Sequence, residues 1–339
     1  MSRLPPIAVR AAAPEVLPLP AVEGLRWRPL ERGDVPAWTA LVQAVQEADG
    51  LEFRLSQEEA AEAFDMPAVT METDSLLGLD DEGVPRAWAL VYSYEGDETL
   101  VRAVVDGGVH PAWRARGVGT QLVAWGTARG RQLLAASGKD VPARVSQYLD
   151  DRQDRAAQLF RAAGYTPVRY YAELRRRLDG TVPSPGRLGQ LRIEPWPDDD
   201  EDVRLAHNEA FADHWGSQPR SVEDWRTGRA MFAPGWSFVA REERTGRVAG
   251  YVWVEKYEHD WEVSGYSSGY VHLLGTVRAW RGRGVAKALL AATMGAQRAD
   301  GIDFTELGVD TANPSGAYGL YAALGFEAFR SETMLSIEI

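Results

Sequence analysis

One stretch of this sequence occurs twice. "AWRARGVGTQL" at residues 112–122 and "AWRGRGVAKAL" at 279–289 match at a constant offset of 167 positions. Trp113 falls on Trp280, Arg114 on Arg281, Arg116 on Arg283, Gly117 on Gly284 and Val118 on Val285. The openings "LRWRPL" (from Leu25) and "LRIEPW" (from Leu191) correspond as well, and so do "LFRAAGY" (159–165) and "LYAALGF" (320–326). Solenoid repeats run about 20–50 residues, so this spacing means a duplicated domain. The 339 residues suit two domains of ordinary size. The expected boundaries are a flexible tail over 1–23, a first domain over 24–178, a Pro/Gly-rich linker over 179–190 and a second domain over 191–339.

Each copy carries the same order of elements, clearest in the second. "LRIEPW" reads as a strand, residues 198–211 as a helix with acids in its first turn, and Ser221 with Asp224 as the cap of a second helix. "WSFVARE", "RVAGYVWVEKY" and "GYVHLLGTV" read as strands, the first two joined by a turn at Thr245-Gly246. A helix follows over 284–299, with Val285, Ala288, Leu289, Ala292 and Met294 near helical spacing. "FTELGVD" is a strand, "PSGAYGLYAAL" a helix closed by Gly325, and the remainder a strand or hairpin. The order β-α-α-β-β-β-α-β-α-β predicts an α/β (α+β) domain around a mixed sheet, present twice.

The repeated stretch places arginines and glycines where a strand turns into a helix. Glycines let a backbone approach a ligand closely, and successive N–H groups at a helix start point outward together, so the pattern suits a diphosphate. Arginines add charge and forked donors. No Gly-Lys-Ser/Thr follows, which excludes a Walker loop. The position after the third strand of a meander excludes the dinucleotide fingerprint, which follows a first strand.

Both stretches resemble the acetyl-CoA pyrophosphate loop of the GNAT superfamily of N-acetyltransferases, Arg/Gln-x-x-Gly-x-Gly/Ala. "NPSGAYGLYAALGFE" resembles the second signature of that family, and the chain from about Leu25 resembles two such domains in tandem. With "AFADHWG" at 210–216, it is similar to the tandem group that includes mycothiol synthase. The resemblance implies that backbone N–H groups of Arg281, Gly282, Arg283, Gly284, Val285, Ala286 and Lys287 cradle the pyrophosphate of acetyl-CoA. Leu274, Gly275 and Thr276 would pair with the pantetheine arm, Asn313 would contact the cofactor or cap its helix, and an N–H near Leu274 would hold the oxyanion. Tyr321 would protonate the departing thiolate. In the first copy Gly107, Gly108 and Val109, with Arg114, Arg116, Gly117, Val118, Gly119 and Thr120, would form the same cradle. That copy has Phe160 at the position of Tyr321 and Arg152 and Gln153 near that of Asn313, so it is expected to bind acetyl-CoA without turnover or to be structural. Tyr165, at the position of Phe326, is read as core.

Many members of the family carry a glutamate on the strand before the loop. No carboxylate occurs from Val263 through Ala299; the register offers Tyr270 and His272. A histidine is the side chain suited to take a proton near neutral pH, which makes His272 the candidate general base, with Glu262 or a water chain as alternatives. His214, Trp215, Trp253 and Glu255 are the candidates for acceptor binding, by charge and stacking. For the run "YVWVEKYEHDWE" (251–262), which supplies Trp253 and Glu255, the alternative is a hairpin edge with one solvated face.

Composition narrows the acceptor. The net charge is −12, from 37 basic and 49 acidic residues, which argues against nucleic acid or an anionic membrane as partner. The absence of cysteine excludes disulfides, thiolate metal sites and a cysteine nucleophile; no metal is expected. With no apolar run of membrane-spanning length and prolines throughout the first 24 residues, a cytoplasmic monomer or homodimer is expected. The expected activity is transfer of an acetyl group from acetyl-CoA to a primary amine of a small molecule. A non-catalytic acyl-CoA sensor and a protein N-acetyltransferase are the alternatives.

Overall fold

Strand-forming runs and amphipathic helices alternate twice along the chain, and a computed structural model describes their arrangement for residues 4–67, 69–94, 96–186, 188–312 and 317–339. The chain divides into two units. The first runs through Arg169 and takes back Glu332–Ile339; the second is Tyr170–Ser331. This differs from the expected division at 178 and 191. Both crossing points fall inside long strands, where no turn residue marks them.

In the first unit a short helix α1 (Ile7–Arg10) precedes strand β1 (Arg26–Arg28). Helices α2 (Val35–Ala48), α3 (Gln57–Glu62) and α4 (Met71–Asp74) follow. Then come β2 (Ser75–Leu79), β3 (Pro85–Ser93), β4 (Val101–Val109), α5 (Val118–Ala136), β5 (Ala143–Asp150) and α6 (Asp154–Ala162). Strands β1 to β4 form an antiparallel meander, and β4 pairs in parallel with β5. The expected flexible tail is instead packed down. Ile7 and Ala11 are buried in the core of this unit, and Arg10 donates to the carbonyls of Ile339 and Val141 at 2.6 Å each. Arg131 donates to the Ala11 carbonyl and Gln121 bonds both ways with Ala21. An apolar anchor flanked by satisfied backbone groups overrides the local proline signal.

Strand β6 (Thr166–Arg177) leads into the second unit, followed by β7 (Leu191–Pro195), α7 (Glu201–Phe211) and α8 (Val222–Arg226). Strands β8 (Phe238–Glu242) and β9 (Val248–Glu255), the short helix α9 (Trp261–Ser264) and β10 (Ser268–Thr276) come next. The chain closes with α10 (Val285–Ala299), β11 (Phe304–Asp310), α11 (Ala317–Ala323) and β12 (Glu327–Glu338). Strands β7 to β10 are an antiparallel meander, β10 and β11 are parallel, and residues 171–177 of β6 close the row on β11. Residues 332–338 of β12 pair with β5, completing the sheet of the first unit. The expected linker is part of the second unit: Leu178 is buried, and Val182 and Leu188 pack on its core.

In the second unit α10 covers one face of the sheet, with Val285, Leu289 and Met294 against Val252, Val254 and Val271. Helices α7 and α8 cover the other, with Val203, Ala206 and Trp225 against Val239, Tyr251 and Trp253. Strand β9 is buried along its whole length. It is a central strand, which removes the alternative of a hairpin edge with one solvated face.

Candidate active site

The loop between β10 and α10 is set by backbone geometry. Gly282 and Gly284 have φ of 72° and 81°, in the left-handed region where a side chain is strained. Gly284 caps α10, and the first intrahelical bond runs from the Ala288 N–H to the Gly284 carbonyl at 3.0 Å. The N–H groups of Val285, Ala286 and Lys287 precede that bond and point out of the helix end, with no acidic residue in the first turn. These residues fit an anionic diphosphate.

The arginine of the motif has another task. Arg281 donates to both oxygens of Asp213 at 2.8 and 2.9 Å and to the Ala210 carbonyl at 2.7 Å, and Arg278 reaches Asp213 at 2.9 Å. Those bonds hold the Asp213 carboxyl well below the usual carboxylate range. The guanidinium therefore ties the loop to the end of α7, where the expected phosphate fork would have left it open. The first unit repeats this construction. Arg114 meets Asp49 at 2.7 Å, and Arg116 lies 4.5 Å over Trp113 as Arg283 lies 5.0 Å over Trp280.

Beyond the loop the sheet opens. Strand β10 pairs with β11 only from Ser268 to Val271, yet β10 continues to Thr276. Among the described strands Leu273 to Thr276 pair with β9 alone, and the Thr276 carbonyl also accepts from Arg281 Nε at 3.2 Å, so the other edge of Leu273 to Gly275 faces the opening. A bulge between Val271 and Leu273 sets His272 out of register. A Cβ at Gly275 would lie 2.4 Å from the buried ring of Tyr251. In the first unit β4 leaves β5 after Val104 and runs on to Val109, with no bulge against β3. A Cβ at Gly107 would lie 2.8 Å from the Trp88 carbonyl, and one at Gly108 2.9 Å from Trp88 Nε1.

His272 Nδ1 lies 3.3 Å from Glu255 Oε2, and the Tyr257 hydroxyl donates to the same oxygen at 2.5 Å. Glu255 is buried while the imidazole is about one-third exposed. A carboxylate beneath one ring nitrogen fixes the tautomer and leaves the other nitrogen outward. Trp253, expected to face the acceptor, is instead interior, among Trp225 at 5.2 Å, Phe232 at 4.9 Å and Trp196 at 5.7 Å. His214 and Trp215 follow α7, beside Asp213; burial lowers the pKa of His214, and Trp215 is exposed. The structure thus unites Glu255 with His272 and places His214 and Trp215 by the loop.

Tyr321 is buried on α11 in the same core cluster as Leu274 and Val285, its ring 5.9 Å from Phe326. Burial pushes its hydroxyl up to about 12, and no hydrogen-bond partner is found for it among the described residues. Tyr318, one turn earlier, is exposed. Asn313 lies outside the described residues. In the first unit Phe160 is buried against Tyr165 at 5.0 Å, and the Tyr165 hydroxyl bonds Thr127 at 2.9 Å, so Tyr165 belongs to the core.

Residues 234–328, all within the second unit, match the model of the acetyltransferase (GNAT) domain. A mycothiol acetyltransferase from Thermobispora bispora is 30% identical over 89% of this chain and 95% of its own length. The chain belongs to the GNAT family of acetyltransferases. Among solved structures, a GCN5-related N-acetyltransferase from Sphaerobacter thermophilus superposes with a TM-score of 0.69 at 28% identity, covering 95% of this chain and 97% of that one. A tandem GNAT protein from the clavulanic acid biosynthesis pathway gives 0.66 at 18% identity, covering 93% and 98%, and shares the fold. The tandem GNAT architecture and acyl-CoA-dependent N-acetyl transfer follow from this membership. Among the described residues no helix is long and apolar enough to cross a membrane, and no group of residues could hold a metal ion.

Proposed function

We propose that the second unit transfers an acetyl group from acetyl-CoA to a primary amine of a small molecule. The observation that carries this reading is the opening of the sheet at β10, bordered by the α10 donors and by the imidazole of His272. The pyrophosphate would sit on the N–H groups from Arg281 to Lys287, and the pantetheine along Leu274 to Thr276. The amine nitrogen attacks the thioester carbonyl, an N–H near Leu274 receives the oxyanion, and the C–S bond then breaks. Alignment of two bound reactants supplies much of the rate. His272, oriented by Glu255, takes the proton from the attacking nitrogen. Tyr321, neutral at physiological pH, gives its proton to the departing thiolate.

The first unit would hold acetyl-CoA without turnover. Its loop has the same backbone form, but Phe160 has no proton to give, and Tyr165 is committed to Thr127. The relatives named mycothiol acetyltransferase support a small-molecule acceptor. The test is a panel of amines with detection of the released CoA thiol. Release that depends on an amine and on Tyr321 supports the reading; acetyl-CoA binding with no release for any amine supports a sensor.

A further inference from the structure

Strand β10 has a tyrosine where the family's strand glutamate is expected, and the structure shows what stands behind it. Tyr270 pairs with Glu255 on β9 and with Glu306 on β11, and Gly308, two residues on, pairs with Glu173 on β6. Directly opposed residues share a face, so Glu255, Tyr270, Gly308 and Glu173 lie on one side of the sheet. It is the side that carries Trp253, whose ring lies 5.9 Å from that of His272, the residue proposed to take the proton from the attacking nitrogen. The Tyr270 hydroxyl donates to Glu173 Oε1 at 3.3 Å, and Arg330 Nη2 lies 3.9 Å from the other oxygen. This bond needs Gly308. A Cβ there would fall 2.8 Å from both Glu173 Oε1 and Tyr270 Oη.

An ionised carboxylate only accepts hydrogen bonds. A tyrosine hydroxyl that gives its single proton to Glu173 keeps only lone pairs for anything in front of it. The ring of Tyr257 stands 6.4 Å from that of Tyr270 and its own hydroxyl is spent on Glu255, which is likewise an acceptor.

We propose that Tyr270 is a specificity-determining residue that receives an N–H of the acceptor's ammonium group, and that Glu173 is a positioning residue that fixes the direction of the Tyr270 hydroxyl. The substrate class is a primary amine that arrives charged. Glu173→Gln would then act without touching the ligand: the carboxamide can donate to the Tyr270 oxygen, which frees the hydroxyl proton to point at the ammonium. This inference rests on the role proposed above for His272 at the attacking nitrogen.

The experiment is a ligand-observed NMR titration of the full chain, at pH 7, with n-butylamine and its uncharged counterpart n-butanol. The expected result is at least tenfold tighter binding of butylamine to the native protein. Tyr270→Phe and Glu173→Gln should each cut that preference at least fivefold, and the double variant should do no more than either alone, because the two residues act as one unit. Tyr270→Phe removes only a hydroxyl and keeps the test decisive if Glu173→Gln does not fold. The proposal is overturned if butylamine binds no better than butanol, if the preference survives either single variant, or if the two losses multiply. Binding is read without turnover, so an absence of CoA release with every amine would overturn the acetyltransferase reading of the site separately.

Discussion

Ala115 and Gly282 hold the same corner of their loops with the same left-handed backbone, at φ of 61° and 72°. Only the second position has the residue that geometry favours. A left-handed conformation costs an L-residue with a Cβ about 1–2 kcal/mol. Ala115→Gly removes that strain but loosens the unfolded chain, which offsets part of it. A net gain of about 0.5–1 kcal/mol is expected, read as a higher urea midpoint at unchanged slope. Gly282→Ala should lower the midpoint by a similar amount.

What was legible in the sequence was local. Strand β11 coincides with "FTELGVD", and α10 begins one residue after the predicted start, because alternation, helical spacing and glycine are short-range signals. The exchange of strand ends at Arg169 and Ser331 was not legible, since both halves of β6 and β12 are equally good strand. Nor were Asp213 behind Arg281 and Glu173 behind Tyr270, pairs 68 and 97 positions apart whose meeting depends on register. Trp253 was misread because a run of carboxylates and aromatics looks alike at a pocket wall and in a core beside one. The missing strand glutamate was legible, and it was the signal that led to Tyr270.

The two loops should differ in consequence. Gly284 has left-handed geometry and only Leu188 near its Cβ direction, at 3.9 Å. A glutamate fits there sterically at the cost of backbone strain, but it sets a negative charge at the helix end proposed for the pyrophosphate. Gly284→Glu should abolish acetyl-CoA binding by the second unit, seen in calorimetry as the loss of one site. Gly117→Glu, at φ 79°, should leave turnover largely intact. Unchanged stoichiometry in Gly284→Glu would remove the loop from the cofactor site.

His207 makes stability depend on pH. It is buried, bonded to the Tyr251 hydroxyl and stacked at 4.7 Å on Phe211, and burial drives its pKa down to about 3. The unfolded chain binds a proton at this residue below about 6.5 while the folded chain does not, so stability falls as pH drops through that value. Between about pH 6 and 4 the slope from this group approaches 1.4 kcal/mol per pH unit at most. His207→Phe leaves the Tyr251 hydroxyl unpaired, a loss independent of pH in this range, and should flatten the slope. Urea midpoints at pH 7, 6, 5 and 4 for both proteins measure it; parallel curves would mean that the imidazole is charged inside the fold.

The chemistry is assigned to one half by Tyr321 and Phe160, and exchanging them tests that assignment in both directions. Tyr321→Phe removes a hydroxyl that bonds no described residue, so neither folding nor the affinity for acetyl-CoA should suffer. If the hydroxyl protonates the thiolate, kcat should fall at least about tenfold, since general acid catalysis is worth about 100-fold or more, while the amine KM moves little. Phe160→Tyr places a hydroxyl in a packed core against Tyr165, whose own hydroxyl is held by Thr127. A buried hydroxyl without a partner costs about 1–3 kcal/mol, so this variant should be less stable and should gain no activity in a Tyr321→Phe background. Steady-state rates at saturating acetyl-CoA, with any amine that releases CoA, decide the matter. Full kcat in Tyr321→Phe would mean that the thiolate leaves unaided, and activity restored by Phe160→Tyr would move the reaction to the first unit.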